Sequence, residues 1–219
     1  MPLKAQLEIF KQDIENLLSK ERLFTYTDLQ AHTKNLNLIA KITPKIALIE
    51  ISLRNMLDFC MTHSQGEAWL INSKIPEVEK SKGKISTKYQ KPSHPQLLSN
   101  LSLGTIVALI KAHNLQTALI CPNNLNLRSF SSRNKDNLLG DCDKSQITLN
   151  LLVTLRNRCF HWENILKTER DKKGKLLPSL TTKLPQGRIF SIWRDNIELF
   201  LDCIIDSINP QLHSLISPT

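Results

Sequence analysis

Glycine is scarce in this chain, with six in 219 residues. A fold built from many tight turns needs more of it, so the scarcity argues against an all-β architecture. Aromatic residues make up only 5%, which leaves thin platforms for stacking nucleic-acid bases. The five cysteines (Cys60, Cys121, Cys142, Cys159, Cys203) include no Cys-x-x-Cys pair, and their total is odd. Neither a disulfide framework nor a thiolate metal site is indicated, and reduced thiols in a cytoplasmic protein are the expectation. No apolar run reaches membrane-spanning length, because Glu50, Arg54, Lys111 and Asp202 interrupt the best candidates. The opening residues also lack the apolar block of a signal peptide. A chain that is neither exported nor held in a membrane is expected.

What is present is a soluble globular composition, 41% hydrophobic and 22% charged, on a strongly basic balance of +9. The length suits one domain, or two at most. A positive surplus favours polyanionic partners and sets encounter rates, without specifying any chemistry.

Apolar residues recur at helical spacing in five places. The first, residues 3–20, carries Leu3, Leu7, Phe10, Ile14, Leu17 and Leu18 on one face and predicts a helix packed on the core. The second predicts a start at Thr43 as N-cap with Pro44 in the first turn, and a face of Ile46, Ile49, Leu53 and Leu57. The third covers about 102–113, and the fourth begins near Asp143. The fifth, about 188–208, is closed by Pro210. These predict an all-α antiparallel bundle with long basic loop insertions, in a single domain over 1–219 whose core spans about 40–208.

Two connections, 73–95 and 166–188, are long and rich in lysine. Such segments are either solvated loops or the places where binding resides. With so few aromatic rings nearby, nucleic acid held there would be gripped through its phosphates. Lys82, Lys84 and Lys88 in the first, Lys172 and Lys173 in the second, and Arg158 just ahead of it are the RNA-binding candidates.

The segment Leu155-Arg156-Asn157-Arg158-Cys159-Phe160-His161 ends the fourth helix. Asn157 and His161 lie one turn apart on a helix, with Arg156 adjacent. A guanidinium can fork onto phosphate oxygens, an amide can orient them, and an imidazole can move protons. Those are the roles metal-free RNA cleavage needs. The plainer reading is a polar helix end where cations meet the favourable end of the dipole. One histidine performs one proton transfer at a time, so a second copy supplying the other is a reason to expect a homodimer with a composite site.

Arg156-Asn157 followed by His161 resembles the signature of HEPN ribonucleases. The wider layout is similar to the Abi-like (abortive infection) branch. The resemblance rests on Ile46 through Asn55, Leu101-Ser102-Leu103-Gly104, Leu155 through His161, and Trp69, across about residues 40–165. It implies a helical bundle, a homodimer and a metal-independent endoribonuclease needing no cofactor, in a family where many members are toxins or antiphage effectors. Arg156, Asn157 and His161 match the catalytic positions, and Glu50 and Arg54 an acidic and basic pair on the earlier helix. That pair reads equally as a salt bridge one turn apart, or as a support that orients the site. The chain departs from the pattern at Trp162, where many relatives carry a second histidine or a small polar residue, and this bears on substrate access. The basic 166–188 segment is also longer than the family's core requires, and reads as a hairpin insertion, an RNA-gripping arm or a dimer clasp. RNA is the expected partner, with an antitoxin or regulatory protein as a further one.

Other residues carry less. His32, His63, His94, His113 and His213 are dispersed, without metal-ligand spacing, and read as surface or capping residues. Cys159 reads as an inert thiol on an apolar helix. Asp141 or Asp143 reads as a helix N-cap. Ser129, Ser131 and Ser132 with Arg128 and Arg133 read as a polar loop. A rival assignment keeps the fold and drops the chemistry: a non-catalytic RNA- or protein-binding module, such as the inert half of a toxin–antitoxin pair.

Overall fold

The computed structural model describes residues 3–86, 89, 91–134 and 139–216, and the RNA-binding candidate Lys88 lies outside them. Helices come first: α1 (Leu3–Lys11), α2 (Ile14–Leu18), α3 (Lys20–Leu23), the 37-residue α4 (Leu29–Gln65), α5 (Trp69–Asn72) and α6 (Pro76–Ser86). There follow α7 (His94–Ser99), α8 (Leu103–Ala112), α9 (Gln116–Leu119), α10 (Leu127–Phe130) and α11 (Asp141–Phe160). Four short strands, β1 (Thr168–Arg170), β2 (Leu176–Pro178), β3 (Leu180–Lys183) and β4 (Ile189–Ile192), precede α12 (Ile197–Ile208). The architecture is therefore mainly helical with two small sheets, both within or just beyond the 166–188 segment, the one place where the all-α expectation admits a hairpin. No helix among the described residues is long and apolar enough to cross a membrane.

Two predicted boundaries hold closely. Ser102 caps α8 by accepting a hydrogen bond from Thr105 N, and His113 is its C-cap. Others shift. Asp28, accepting from Ala31 N at 2.7 Å, starts α4 fifteen residues earlier than Thr43. Pro44 lies inside that helix, on its exposed side. Thr43 turns its hydroxyl back onto the Ile39 carbonyl at 2.7 Å rather than capping a new start. Gly140, not an aspartate, is the N-cap of α11, and Asp141 and Asp143 sit in its first turn. The fifth predicted helix loses its beginning to β4, and the helix proper waits until Ile197.

The predicted helix over 3–20 is broken and not packed on the core. Asp13 accepts from Glu15 N and opens α2, and Ser19, at φ 69°, separates α2 from α3. Leu3, Leu7, Phe10, Ile14 and Leu17 are all exposed.

The core lies where α4, α8, α11 and α12 meet. Ile42, Ile46, Ile49, Leu53 and Leu57 form one fully buried stripe of α4 at spacings of three and four. It packs with Ile106 and Ile110 of α8, Leu151 and Leu155 of α11, and Phe200 and Ile204 of α12 in one hydrophobic cluster.

The basic connection after α11 folds into two antiparallel hairpins, β1–β2 and β3–β4. Each closes on the same device: a four-residue turn whose last residue is a glycine at positive φ, Gly174 (76°) or Gly187 (87°). That left-handed position between strands is the one glycine fills without cost. The other basic connection becomes α6 over much of its length.

Candidate functional site

The last turn of α11 fixes the geometry of the motif. His161 is the C-cap, and its N–H donates to the Asn157 carbonyl at 3.0 Å. Trp162 follows at φ 57°, donating to the Cys159 carbonyl at 3.0 Å, while Glu163 N donates to the Arg158 carbonyl at 2.9 Å. These two bonds satisfy carbonyls that a helix end leaves open. Glycine usually occupies that left-handed position. A tryptophan there stores about 1 kcal/mol or more of backbone strain, and it leaves the indole half-exposed.

Helical rotation then separates the motif residues. Arg156 and His161 lie about 140° apart around the axis, whereas Asn157 and Arg158 lie within about 60° of His161. Arg156 turns to α4, where its Nε donates to Glu50 Oε2 at 3.1 Å. The other carboxylate oxygen of Glu50 accepts from Arg54 Nη2 at 3.3 Å, and Arg54 also donates to the Leu101 carbonyl. Two guanidinium groups thus share one largely buried carboxylate. Arg156 is also seated over the Phe160 ring, 4.4 Å from its centroid, a cation–π contact that adds to its fixation. The structure brings Glu50, Arg54 and Arg156 together, three residues the sequence had singled out.

His161 sits apart from that cluster, exposed, in a depression of about 290 Å³ lined by Arg22, Thr25, Arg158, Trp162, Asn164 and Lys167 among others. Its ring makes no hydrogen bond or ion pair among the described residues. Asn157 is exposed one turn before it. Arg156 does not line this depression; Arg158 does. Arg158 is a brace as much as a surface cation. It donates to Ser179 Oγ at 2.9 Å and to the Asn164 carbonyl, and it pairs with Glu163 at 3.2 Å.

The floor of the depression is tied to the start of α4 by residues the sequence reading missed. Buried Asn35 donates to the Glu163 carbonyl and to the Tyr26 hydroxyl, both at 3.0 Å, and accepts from Ile165 N at 2.9 Å. Asn164 Nδ2 donates to the Thr25 carbonyl at 2.7 Å, and Arg22 Nη1 donates to the Trp162 carbonyl at 2.6 Å. Burial pushes the Tyr26 phenol up, against the opposing pull of Arg22 and Arg158. No local pattern marks these residues, because, apart from Tyr26 and Asn35 nine positions apart, their partners lie more than a hundred positions away.

The remaining candidates are dispersed. Lys82 donates to the Ile71 and Ser73 carbonyls and pairs with Glu79, so it closes the end of α5 instead of offering a free charge. Lys84 lines a separate cavity of about 430 Å³ with Lys80 and Tyr89. Lys172 and Lys173 are exposed in the β1–β2 turn. Ser131, expected in an open polar loop, is buried against Ser191 at 3.1 Å.

Two histidines depart from the surface reading. His32 is buried edge-on to Tyr26. His94 Nε2 lies 2.7 Å from Asp58 Oδ1, the same oxygen that accepts from Trp69 Nε1 at 2.8 Å. This contact welds α4, α5 and α7, and no sequence spacing announced it. Cys159 is buried, and burial pushes its thiol up to about 12, with Arg158 opposing. A thiol so protonated is no nucleophile. Comparison with known proteins adds no relative to this picture: no family model, curated protein or solved structure matches the chain.

Proposed function

We propose that the protein is a metal-independent endoribonuclease of the HEPN type, acting as a homodimeric toxin or antiphage effector. The observation that carries this reading is His161: an exposed, unengaged imidazole at the end of α11, in a depression walled by Arg22, Arg158 and Lys167. Cations gather the phosphate of a polyanion there, beside a group able to move a proton.

In the reaction, the ribose 2′-hydroxyl loses its proton and its oxygen bonds to phosphorus. The bond from phosphorus to the 5′-oxygen breaks, and that oxygen gains a proton. The products are a 2′,3′-cyclic phosphate and a 5′-hydroxyl. His161 is the general base or acid, and a second copy's histidine takes the complementary step. Asn157 orients the phosphate. Arg156 clamps it across the two-fold contact, with Glu50 and Arg54 setting the plane of its guanidinium.

The test is cleavage of a labelled mixed-sequence RNA in EDTA by wild type and His161→Ala. Wild-type cutting with cyclic-phosphate ends, reduced roughly a hundred- to ten-thousand-fold in the variant, is expected. A variant rate within about threefold of wild type, far below such a loss, sinks the assignment. In cells, induced expression arrests growth and Arg156→Ala relieves the arrest.

A second reading is favoured by one observation: the Arg156 guanidinium is committed to Glu50 and Phe160 and does not line the depression around His161. A non-catalytic RNA-binding module would keep that ion pair for stability alone. It predicts a gel shift by both proteins and cleavage by neither.

A further inference from the structure

A second depression of about 580 Å³ adjoins the one around His161, and the two share Thr25, Asn164 and Lys167 as lining. The further walls come from Lys34 on α4, Arg194 after β4, and the rings of Phe24 and Tyr26. Around this groove of two adjoining depressions stand five cations, Arg22, Lys34, Arg158, Lys167 and Arg194, against two carboxylates, Glu163 paired with Arg158 and Asp195 3.8 Å from Arg194. Both volumes are of the size that holds small organic groups.

Three properties of this groove belong together. Its floor is rigid, since Asn164 is bonded to Thr25 on one side and to Leu166 N on the other, and Tyr26 is held by Asn35. Its rim is cationic. On its wall stands Phe24, 92% exposed, a phenyl ring that the hydrophobic effect alone would bury. A fixed floor, flanking cations and an open aromatic face are the elements by which proteins hold an unpaired polynucleotide, phosphates on the charges and a base on the ring. A duplex keeps its bases stacked on one another and has no use for such a ring.

We infer that the groove from His161 to Phe24 is the track of one unpaired RNA strand. A base next to the phosphate at His161 stacks on Phe24, and Lys34, Lys167 and Arg194 take the flanking phosphates. The position of the cut rests on the ribonuclease reading; the track itself does not.

The test measures binding of a short single-stranded RNA, and of the same sequence as a duplex, by fluorescence anisotropy in a His161→Ala background that cannot cut. Phe24→Ala weakens single-strand binding about five- to a hundredfold and leaves duplex binding within about twofold, while Phe24→Tyr retains it. Lys34→Ala and Arg194→Ala each lower the salt slope of binding by about 0.7. Lys4→Ala, a change of the same charge on exposed α1, does neither. Phe24 is exposed, so a thermal melt confirms an unchanged fold.

Phe24→Ala binding single strands as tightly as its parent, or losing both forms alike, overturns the stacking subsite. If the protein with His161 intact cuts RNA just as fast after Phe24 and Lys34 are replaced, the track falls and the ribonuclease stands. If it cuts nothing while the groove variants still lose single-strand affinity, the track stands and the ribonuclease falls. Absence of any RNA binding by the parent at physiological salt removes both.

Discussion

Glu50 accepts from two guanidinium groups, and that division of one carboxylate defines the chemistry of its neighbourhood. A carboxylate between two arginines leaves a surplus positive charge in a partly buried place, and it holds both side chains in fixed planes. Replacing it with an amide of the same shape keeps the packing and removes the charge. Glu50→Gln is therefore expected to cost about 1.5–3 kcal/mol, the worth of hydrogen bonds to charged groups, read as a lower Tm. Arg54→Met on top of it should cost less than it does alone, because the partner is already lost. Strict additivity of the two changes would show that the Glu50–Arg54 pair contributes nothing.

The motif itself was legible, since Arg156, Asn157 and His161 are neighbours in sequence and end a periodic apolar run. Their separation around the helix was legible in principle from 3.6 residues per turn. What captures each side chain was not. Arg156 is taken by a residue 106 positions earlier, and the His161 depression is walled by Arg22 from the start of the chain. Phe24 escaped notice for a related reason: in sequence it is one apolar residue among many, and only its exposure marks it.

At the scale of elements, the core stripe of α4 was legible because Ile46, Ile49, Leu53 and Leu57 repeat at helical spacing. The start of α4 was misread because threonine followed by proline is also the signature of a new helix. Inside a helix the same pair costs a backbone hydrogen bond, here the one that residue 44 would donate to the Ala40 carbonyl. Since Pro44 is on the exposed side, Pro44→Ala disturbs no core packing. It is expected to raise stability by up to about 3 kcal/mol, seen as a higher midpoint in urea. An unchanged or lower midpoint would mean that α4 loses nothing by carrying proline at that position.

A hairpin was legible only as one of three readings of 166–188, because strands of three or four residues are shorter than any reliable period-two pattern. Gly174 and Gly187 were visible, but as loop residues. Their spacing within four-residue turns was the available signal. The N-terminal face misled in the opposite direction: its periodicity is real, yet the broken helices α1 and α2 bury none of it.

At the scale of the molecule, the +9 balance is concentrated into a use by the fold. Five cations converge on one groove although they come from α3, α4, α11, the turn after it and the segment after β4. On the proposed single-strand track, charge gathered this way would make affinity depend steeply on salt. If all five meet phosphates, raising monovalent salt from 50 to 200 mM weakens single-strand binding about a hundredfold, measured by the same anisotropy. A slope near zero would mean that the strand is held by something other than these charges.

Asn35 also gives the protein a clock. Its amide is satisfied by Glu163 and Ile165, residues that leave the ribosome only after some 130 more have been joined. At about 5–20 residues per second, that wait is on the order of ten seconds. Until it ends, the Asn35 amide lacks the partners that satisfy it, and the start of α4 cannot be tied to the turn after α11.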